Sequence, residues 1–351
     1  MNYQEQLKKN NTIKLREQLK DLPPFLNEFF RGISDNTSSL TRMGYCYDLR
    51  LFFSYLTTNC KRFKHISDLT DFTIENLCEV DVDDIEGFME YLSFYTKNQS
   101  GKEVDIKNDS KGKSRKLAAI RTLFSYFYKK RKINVNHTLL IDFPKITTKT
   151  IVRLEVNEVS EILYEVESGA NLTTRQRKYH FITKSRDMAI FTLLLGTGMR
   201  VSECVGIDLD HMDFKINGVK ITRKGGNDTI LYFGKEVKKA LQEYLKYRRE
   251  LFPKEGHEKA LFLSMQNKRI TVRAIQLLIK KYSKHVANFK QISPHKLRST
   301  FGTNLYKETG DIYLVADILG HEDINTTRKH YAQMEDERRR SVANTVKLRK
   351  D

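Results

Sequence analysis

The chain has 351 residues, 39% hydrophobic and 30% charged, with a formal net charge of +18, which allows about two domains with a core each and excludes an extended disordered chain. No apolar run approaches the roughly 18 residues of a membrane span, the longest being Met188 to Leu195, and the N-terminal residues lack the apolar stretch of a secretory leader, so a cytoplasmic protein is expected. Four cysteines without a C-x-x-C pair exclude a disulfide framework and a zinc ribbon, and the charge points to a polyanionic partner, nucleic acid before an anionic membrane surface.

In chain order, the first predicted helix is capped by Ser38 and runs to about Leu56, with Leu40, Met43, Tyr47, Leu51 and Tyr55 as its apolar stripe. VDVDDIEGFMEYLSFY predicts a second, with Val82, Ile85, Met89 and Leu92 on one face and the acids turned away. The acidic block from Glu79 to Glu90 is not read as a two-metal site, because acids at a helix N-terminus are favoured by the macrodipole anyway. SRKLAAIRTLFSYFYKK predicts a third helix from near Ser114 to Lys130, completing an all-α N-terminal unit. Between Lys107 and Lys132 ten basic residues face one acid, Asp109, with Phe124, Tyr126, Phe127 and Tyr128 among them. Lys111, Lys113, Arg115, Lys116 and Arg121 are the candidates for a phosphate backbone, each cation displacing condensed counterions. The segment alone fits a solvated cationic helix face equally well.

Pro144 then breaks the pattern, a Thr/Lys-rich extended stretch follows and Asn157 can cap a new helix, so a boundary is expected near residue 150. SRDMAIFTLLLGTGMRVSEC reads as helix. VKITR and TILYF alternate on either side of KGGND as a hairpin, and helices resume at Lys235 to Phe252, Thr271 to Val286 and through the C-terminal third.

Several cofactor chemistries drop out. Gly112-Lys113-Ser114 resembles the tail of a phosphate loop, but Lys107 stands where its first glycine belongs and no apolar strand precedes it. His321 and His330 are nine residues apart, not at metal-binding helical spacing, and no other His or Cys cluster exists, so no metal and no cofactor are expected. Four segments remain, each unremarkable alone: GTGMRVSE with Arg200, TRKGGND with Lys224, SPHKLRST with His295 and Arg298 on one helix face, and LGHEDINTTRKHY with His321 and Tyr331. Converging, they would surround one phosphate with donors and aim one nucleophile at it.

In this order the four segments resemble the tyrosine recombinase family of phage-type integrases and Xer proteins. YCYDLRLFFSYL and SRKLAAIRTLFSYFY are similar to that family's core-binding domain. The resemblance implies a mainly α protein. It divides the chain into an N-terminal extension (1–22), an all-α, SAM-like core-binding helical bundle (23–145), a linker (146–153), an α+β catalytic domain of the DNA breaking-rejoining type with a small β-hairpin sheet (154–334) and a C-terminal tail helix (335–351). It implies Tyr331 as a nucleophile forming a 3′-phosphotyrosyl link, His295 as proton acceptor, Lys224 as donor to the leaving 5′ oxygen, His321 as a hydrogen-bond donor to the phosphate and Glu203 as an orienting group. Arg200 and Arg298 would offer planar forks where negative charge develops on the phosphate oxygens. A free tyrosine has a pKa of about 10, so such a cationic pocket is what would make it reactive near neutrality. The implied partners are double-stranded DNA with an inverted-repeat core site and a homotetramer holding two duplexes through a Holliday junction, with no membrane; whether an accessory protein joins them is left open by the sequence.

Ser299 departs from the second histidine many relatives carry. SGANLTTRQRKYHFITKSRD, around 169–185, reads as an added loop able to touch DNA or a neighbouring protomer; with TRKGGND it resembles the single-recombinase Xer type of Gram-positive bacteria. Chromosome-dimer resolution is the expected role, integration or excision of a mobile element the alternative. A DNA-binding protein without catalysis and a type IB topoisomerase fit the same charge and the same pocket.

Overall fold

Capping residues set where most helices of this chain begin. The computed structural model describes residues 3–99, 101–146, 153–223, 225–286 and 290–321, in two compact units, residues 1–148 and 149–351. The first contains α1 (Tyr3–Leu19), α2 (Leu26–Gly32), α3 (Ser39–Asn59), α4 (Ile74–Glu79), α5 (Val82–Tyr91), a hairpin of β1 (Tyr95–Gln99) and β2 (Lys102–Ile106), and α6 (Ser110–Lys129). Ser38 Oγ accepts from Thr41 N at 3.0 Å to open α3. Asp81 and Asp84 cap α5 reciprocally at 3.0 and 3.2 Å. Asp109 accepts from Gly112 N at 2.8 Å, so α6 starts about a turn before the expected Ser114. The segment expected as an extension forms α1, which buries Leu15 and Leu19 in the same core as Phe29, Phe52, Phe88 and Leu123.

Two expectations for this unit are corrected. The buried face of α3 is Met43, Cys46, Leu49, Phe52, Phe53 and Leu56, while Leu40 and Tyr47 of the expected stripe are exposed. Both sets recur at helical spacing on a helix that is apolar on most sides, so only packing decides between them. The unit is also not all-α, because β1 and β2 pair antiparallel, from Tyr95 opposite Ile106 to Gln99 opposite Lys102. Strand β2 is exposed except for the half-buried Ile106 at its end, and Tyr95 is the buried residue at the start of β1. Backbone pairing and a tight turn hold this hairpin together, so it has no apolar alternation to betray it.

The second unit comprises α7 (Val156–Ser168), α8 (Thr174–Thr197), α9 (Val201–Gly206), the antiparallel sheet β3 (Met212–Asp213), β4 (Gly218–Thr222) and β5 (Asp228–Tyr232), then α10 (Lys235–Arg248), α11 (Val272–Ser283), α12 (Pro294–Thr309) and α13 (Ile312–Leu319). The expected hairpin is present as β4 and β5, with β3 added on the outer side of β4. Helix α8 is the hub, packed against α7, α10 and α12. Its start corrects the reading of residues 169–185: Thr173 and Gln176 cap each other at 3.1 and 3.3 Å, so most of the supposed added loop is the first turns of α8. Similarly, α7 is opened not by Asn157 but by Glu155, whose N–H donates to the Glu158 carboxylate at 2.7 Å.

Asp187 fastens the hub. Fully buried on α8, it accepts from Arg186 at 2.7 Å, Tyr282 OH at 2.9 Å, Thr183 at 3.1 Å and Lys281 at 3.3 Å, tying α8 to α11. Burial and the adjoining Asp187 push the Tyr282 phenol far above its ordinary pKa, so it stays a donor, and burial lowers that of Lys281. The fold is mainly α with small sheets, as expected, and among the described residues no helix is long and apolar enough to cross a membrane.

Candidate active site

The joint between α8 and α9 positions the first candidate. Gly198 ends α8 in the left-handed conformation, φ 63°, and a Cβ there would collide with Phe301 of α12 and crowd Leu319 of α13. Arg200 follows as the N-cap of α9. Its N–H donates to Glu203 Oε2 at 2.7 Å and its Nη1 to Glu203 Oε1 at 2.9 Å, so one buried carboxylate fixes both ends of the residue. Arg200 Nη2 donates to the Gly320 carbonyl at 2.9 Å.

Arg298, on α12, is buried; its Nη1 donates to Gly198 O at 2.9 Å and its Nη2 to Leu319 O. A third arginine joins them: Arg223, at the end of β4, donates from Nη2 to Ile318 O at 2.9 Å. The consecutive carbonyls of Ile318, Leu319 and Gly320 thus each receive a guanidinium from a different part of the chain. These are C-terminal carbonyls of α13 and its cap, the groups that lack intrahelical partners and carry the negative end of the helix dipole. An α-helix terminus therefore gathers three cations and holds them in place before any substrate arrives.

Two of these arginines, Arg200 and Arg223, border a cleft of ≈ 820 Å³ whose walls also include Asn227, Phe301, Gly320 and His321, with the buried Arg298 behind them. Arg200 remains a third exposed, accessible to an anion entering the cleft. His321 is half-buried on its wall, its backbone N–H donating to Ala316 O at 2.9 Å. His295 is exposed in the first turn of α12, three residues before Arg298 and after the N1 proline Pro294. Lys224, His330 and Tyr331 lie outside the described residues. The structure thus brings Arg200, Glu203, Arg298 and His321 to one place. It adds Arg223, which sequence reasoning passed over as a strand-end residue beside Lys224.

The only group of potential metal ligands among the described residues, Asp208, Asp210 and His211, is a structural pin. Asp208 pairs with Arg269, which also donates to Val205 O at 2.9 Å and Ile207 O at 3.0 Å, while His211 Nδ1 accepts from Asp208 N at 3.2 Å.

In the first unit the five basic candidates separate. Lys111 is exposed, and Lys113, half-buried, donates to Ser93 Oγ at 2.6 Å. Arg115 is half exposed and paired with the buried Asp48 of α3. The other two turn inward. Lys116 is buried, its Nζ donating to Asn108 Oδ1 at 2.7 Å, and burial lowers its pKa. Arg121 donates to Thr138 O at 3.1 Å and to Ile141 O, and stacks 4.2 Å from the Phe143 ring centroid. Residue type foretold their charge, but not that both cations are spent inside the unit.

A sequence profile described as the phage integrase family matches residues 152–338. The tyrosine recombinase XerC of Caldanaerobacter subterraneus subsp. tengcongensis is 35% identical over 349 residues, spanning 96% of this chain and 90% of that protein. The tyrosine recombinase XerS of Streptococcus thermophilus is 28% identical over 94% of this chain and 98% of its own length. Among solved structures, the XerH site-specific recombinase bound to palindromic difH substrate in a post-cleavage complex matches with a TM-score of 0.64 at 17% identity, covering 96% of this chain and 89% of that one. The Tn1549 transposon integrase in complex with transposon right end DNA matches with a TM-score of 0.61 at 18% identity, covering 90% and 98%. At such identities these two structures speak for the fold alone.

Proposed function

Because the chain belongs to the phage integrase family of tyrosine recombinases, we propose that it is a site-specific recombinase of the Xer type that cuts and rejoins duplex DNA with Tyr331 as nucleophile. The observation that carries this reading is the clamping of Arg200 and Arg298 on the adjacent carbonyls of Gly320 and Leu319. Two guanidinium groups held on adjacent carbonyls, Arg200 on the wall of the cleft and Arg298 buried behind it, suit the non-bridging oxygens of a scissile phosphate, where negative charge grows as the phosphorus becomes five-coordinate. Because internal carbonyls already orient them, little reorganisation remains for the reaction itself.

In the cleavage step, the Tyr331 oxygen bonds to phosphorus and the phosphorus–5′ oxygen bond breaks. His295 takes the phenol proton, Lys224 supplies a proton to the departing 5′ oxygen, and His321 donates to a phosphate oxygen. The products are a 3′-phosphotyrosyl enzyme and a 5′-hydroxyl. Attack by the 5′-hydroxyl of a second strand reverses the exchange and releases Tyr331, so the bond energy is conserved without nucleotide or metal. Four protomers on two duplexes pass through a Holliday junction. In the first unit, Lys111, Lys113 and Arg115 meet the DNA backbone of an inverted-repeat core site, with Asp48 orienting Arg115. The extensive similarity to XerC and XerS supports chromosome-dimer resolution in the cytoplasm over integration of a mobile element.

The test is a nicked suicide duplex carrying the inverted repeat that the protein selects from a randomised pool. Wild type should accumulate a covalent protein–DNA band, and Tyr331→Phe should bind the same duplex and leave none. Absence of the band from wild type would sink the recombinase reading, and relaxation of arbitrary supercoiled DNA without site preference would favour a topoisomerase.

A further inference from the structure

We propose that Arg223 is a positioning residue for leaving-group protonation: it clamps the β4–β5 turn, to which Lys224 belongs, onto the C-terminus of α13. The inference rests on the reading of Lys224 as the proton donor, and it assigns Arg223 a role that acts through its neighbour.

The geometry of this contact is specific. Arg223 closes the turn through its own backbone, its N–H donating to Asn227 O at 2.8 Å and its carbonyl accepting from Gly226 N at 3.0 Å. It is thus the first residue after the strand, where the chain begins to reverse. From there its side chain reaches Ile318 O, 95 residues away, at 2.9 Å. The helix end is shaped to receive it: Gly320 has φ 61°, and a Cβ on it would collide with the Arg223 guanidinium. A Cβ built on Gly225 or Gly226 meets nothing within 4 Å, so those two positions of the turn are not packed against a neighbour.

A stabilising role alone explains this poorly. Arg223 Nε is buried without a hydrogen-bond partner among the described residues, a desolvation cost that a shorter or apolar side chain would avoid. The same three-carbonyl terminus also holds Arg200 and Arg298. The clamp therefore registers the residue preceding Lys224 against the groups that bind the scissile phosphate. A turn without it would leave the donor to find the leaving oxygen by diffusion of a loop, and proximity is what makes a general acid effective.

The experiment compares two suicide duplexes, one with the ordinary 5′ bridging oxygen and one with sulfur at that atom. A thiolate departs unprotonated, since a thiol pKa is about 8.5, so the sulfur duplex no longer needs a general acid. With oxygen, Lys224→Ala should slow cleavage about 10²-fold or more and Arg223→Ala at least about tenfold; with sulfur, both should return to within about threefold of wild type. Arg298→Ala should remain slow on both duplexes. Arg223→Lys keeps a cation that can meet a single carbonyl, and its smaller loss should likewise be confined to oxygen. Equal slowing of Arg223→Ala on both duplexes, or none on either, would overturn the inference while Lys224→Ala is still rescued. Failure of sulfur to rescue Lys224→Ala would instead remove the proton-donor reading and the inference with it.

Discussion

Arg298 serves the fold and the proposed chemistry with one side chain. Its planar group joins the carbonyls of Gly198 and Leu319, and so ties the end of α8 to the end of α13. A lysine cannot reproduce two divergent donors in one plane. Arg298→Lys is expected to reduce suicide-duplex cleavage by about 10²–10³-fold, by gel quantitation of the covalent band. Arg298→Ala should also lower the melting temperature, because each buried carbonyl left without a donor costs about 1–3 kcal/mol. An Arg298→Lys enzyme that cleaves at the wild-type rate would refute this. Arg200, Arg298 and His321 stood out in the sequence because their segments, unremarkable singly, stand in the order of the family they resemble. Arg223 did not, because its partner Ile318 is 95 positions away and nothing local distinguishes it from a strand-end arginine.

Elements were legible where a local signal dominates. The caps at Ser38 and the Gly-rich turn between β4 and β5 are written in residue type. The phase of α3 and the hairpin of β1 and β2 were not, the first because the helix is apolar on several sides, the second because backbone pairing leaves no hydrophobic pattern. One pair tests how α3 and α6 are joined. Burial raises the pKa of the Asp48 carboxyl on α3, and the charges of Arg115 and Lys116 on α6 pull it back. A carboxyl whose folded pKa exceeds its unfolded value favours folding below the unfolded value, and that advantage is lost as pH rises through the folded pKa. Arg115→Ala removes the counter-pull, so its destabilisation should be small near pH 4 and grow toward pH 7. It should reach about 1–2 kcal/mol, discounted from a fully buried pair because Arg115 is half exposed. Adding Asp48→Asn should abolish the pH dependence in thermal melts; a deficit equal at both pH values would acquit Asp48.

At the scale of the whole molecule, a net charge of +18 sets the approach to DNA more than any single contact. If about 6–10 phosphates are neutralised, affinity for a labelled duplex measured by anisotropy should fall about 10³–10⁵-fold between 50 and 200 mM salt. Lys111→Ala should reduce the slope of log affinity against log salt by about 1, whereas Lys116→Ala should leave it unchanged and lower stability instead, because Lys116 is buried against Asn108. Equal slopes for all three proteins would contradict this division of the basic residues. By itself the sequence determined the family, the mainly helical class, the β4–β5 hairpin and the residue types proposed for the chemistry. The helical class and the hairpin follow from periodicity and local propensity along the chain, while the family and the residue types come from the resemblance of four segments in order. Only the tertiary structure decided which face of α3 is buried, that Lys116 and Arg121 point inward, and that the last carbonyls of α13 gather Arg200, Arg223 and Arg298. Those outcomes depend on partners from 8 residues away, for Lys116 and Asn108, to 120, for Arg200 and Gly320, and an unpaired helix terminus acquires such partners only when the chain has folded around it.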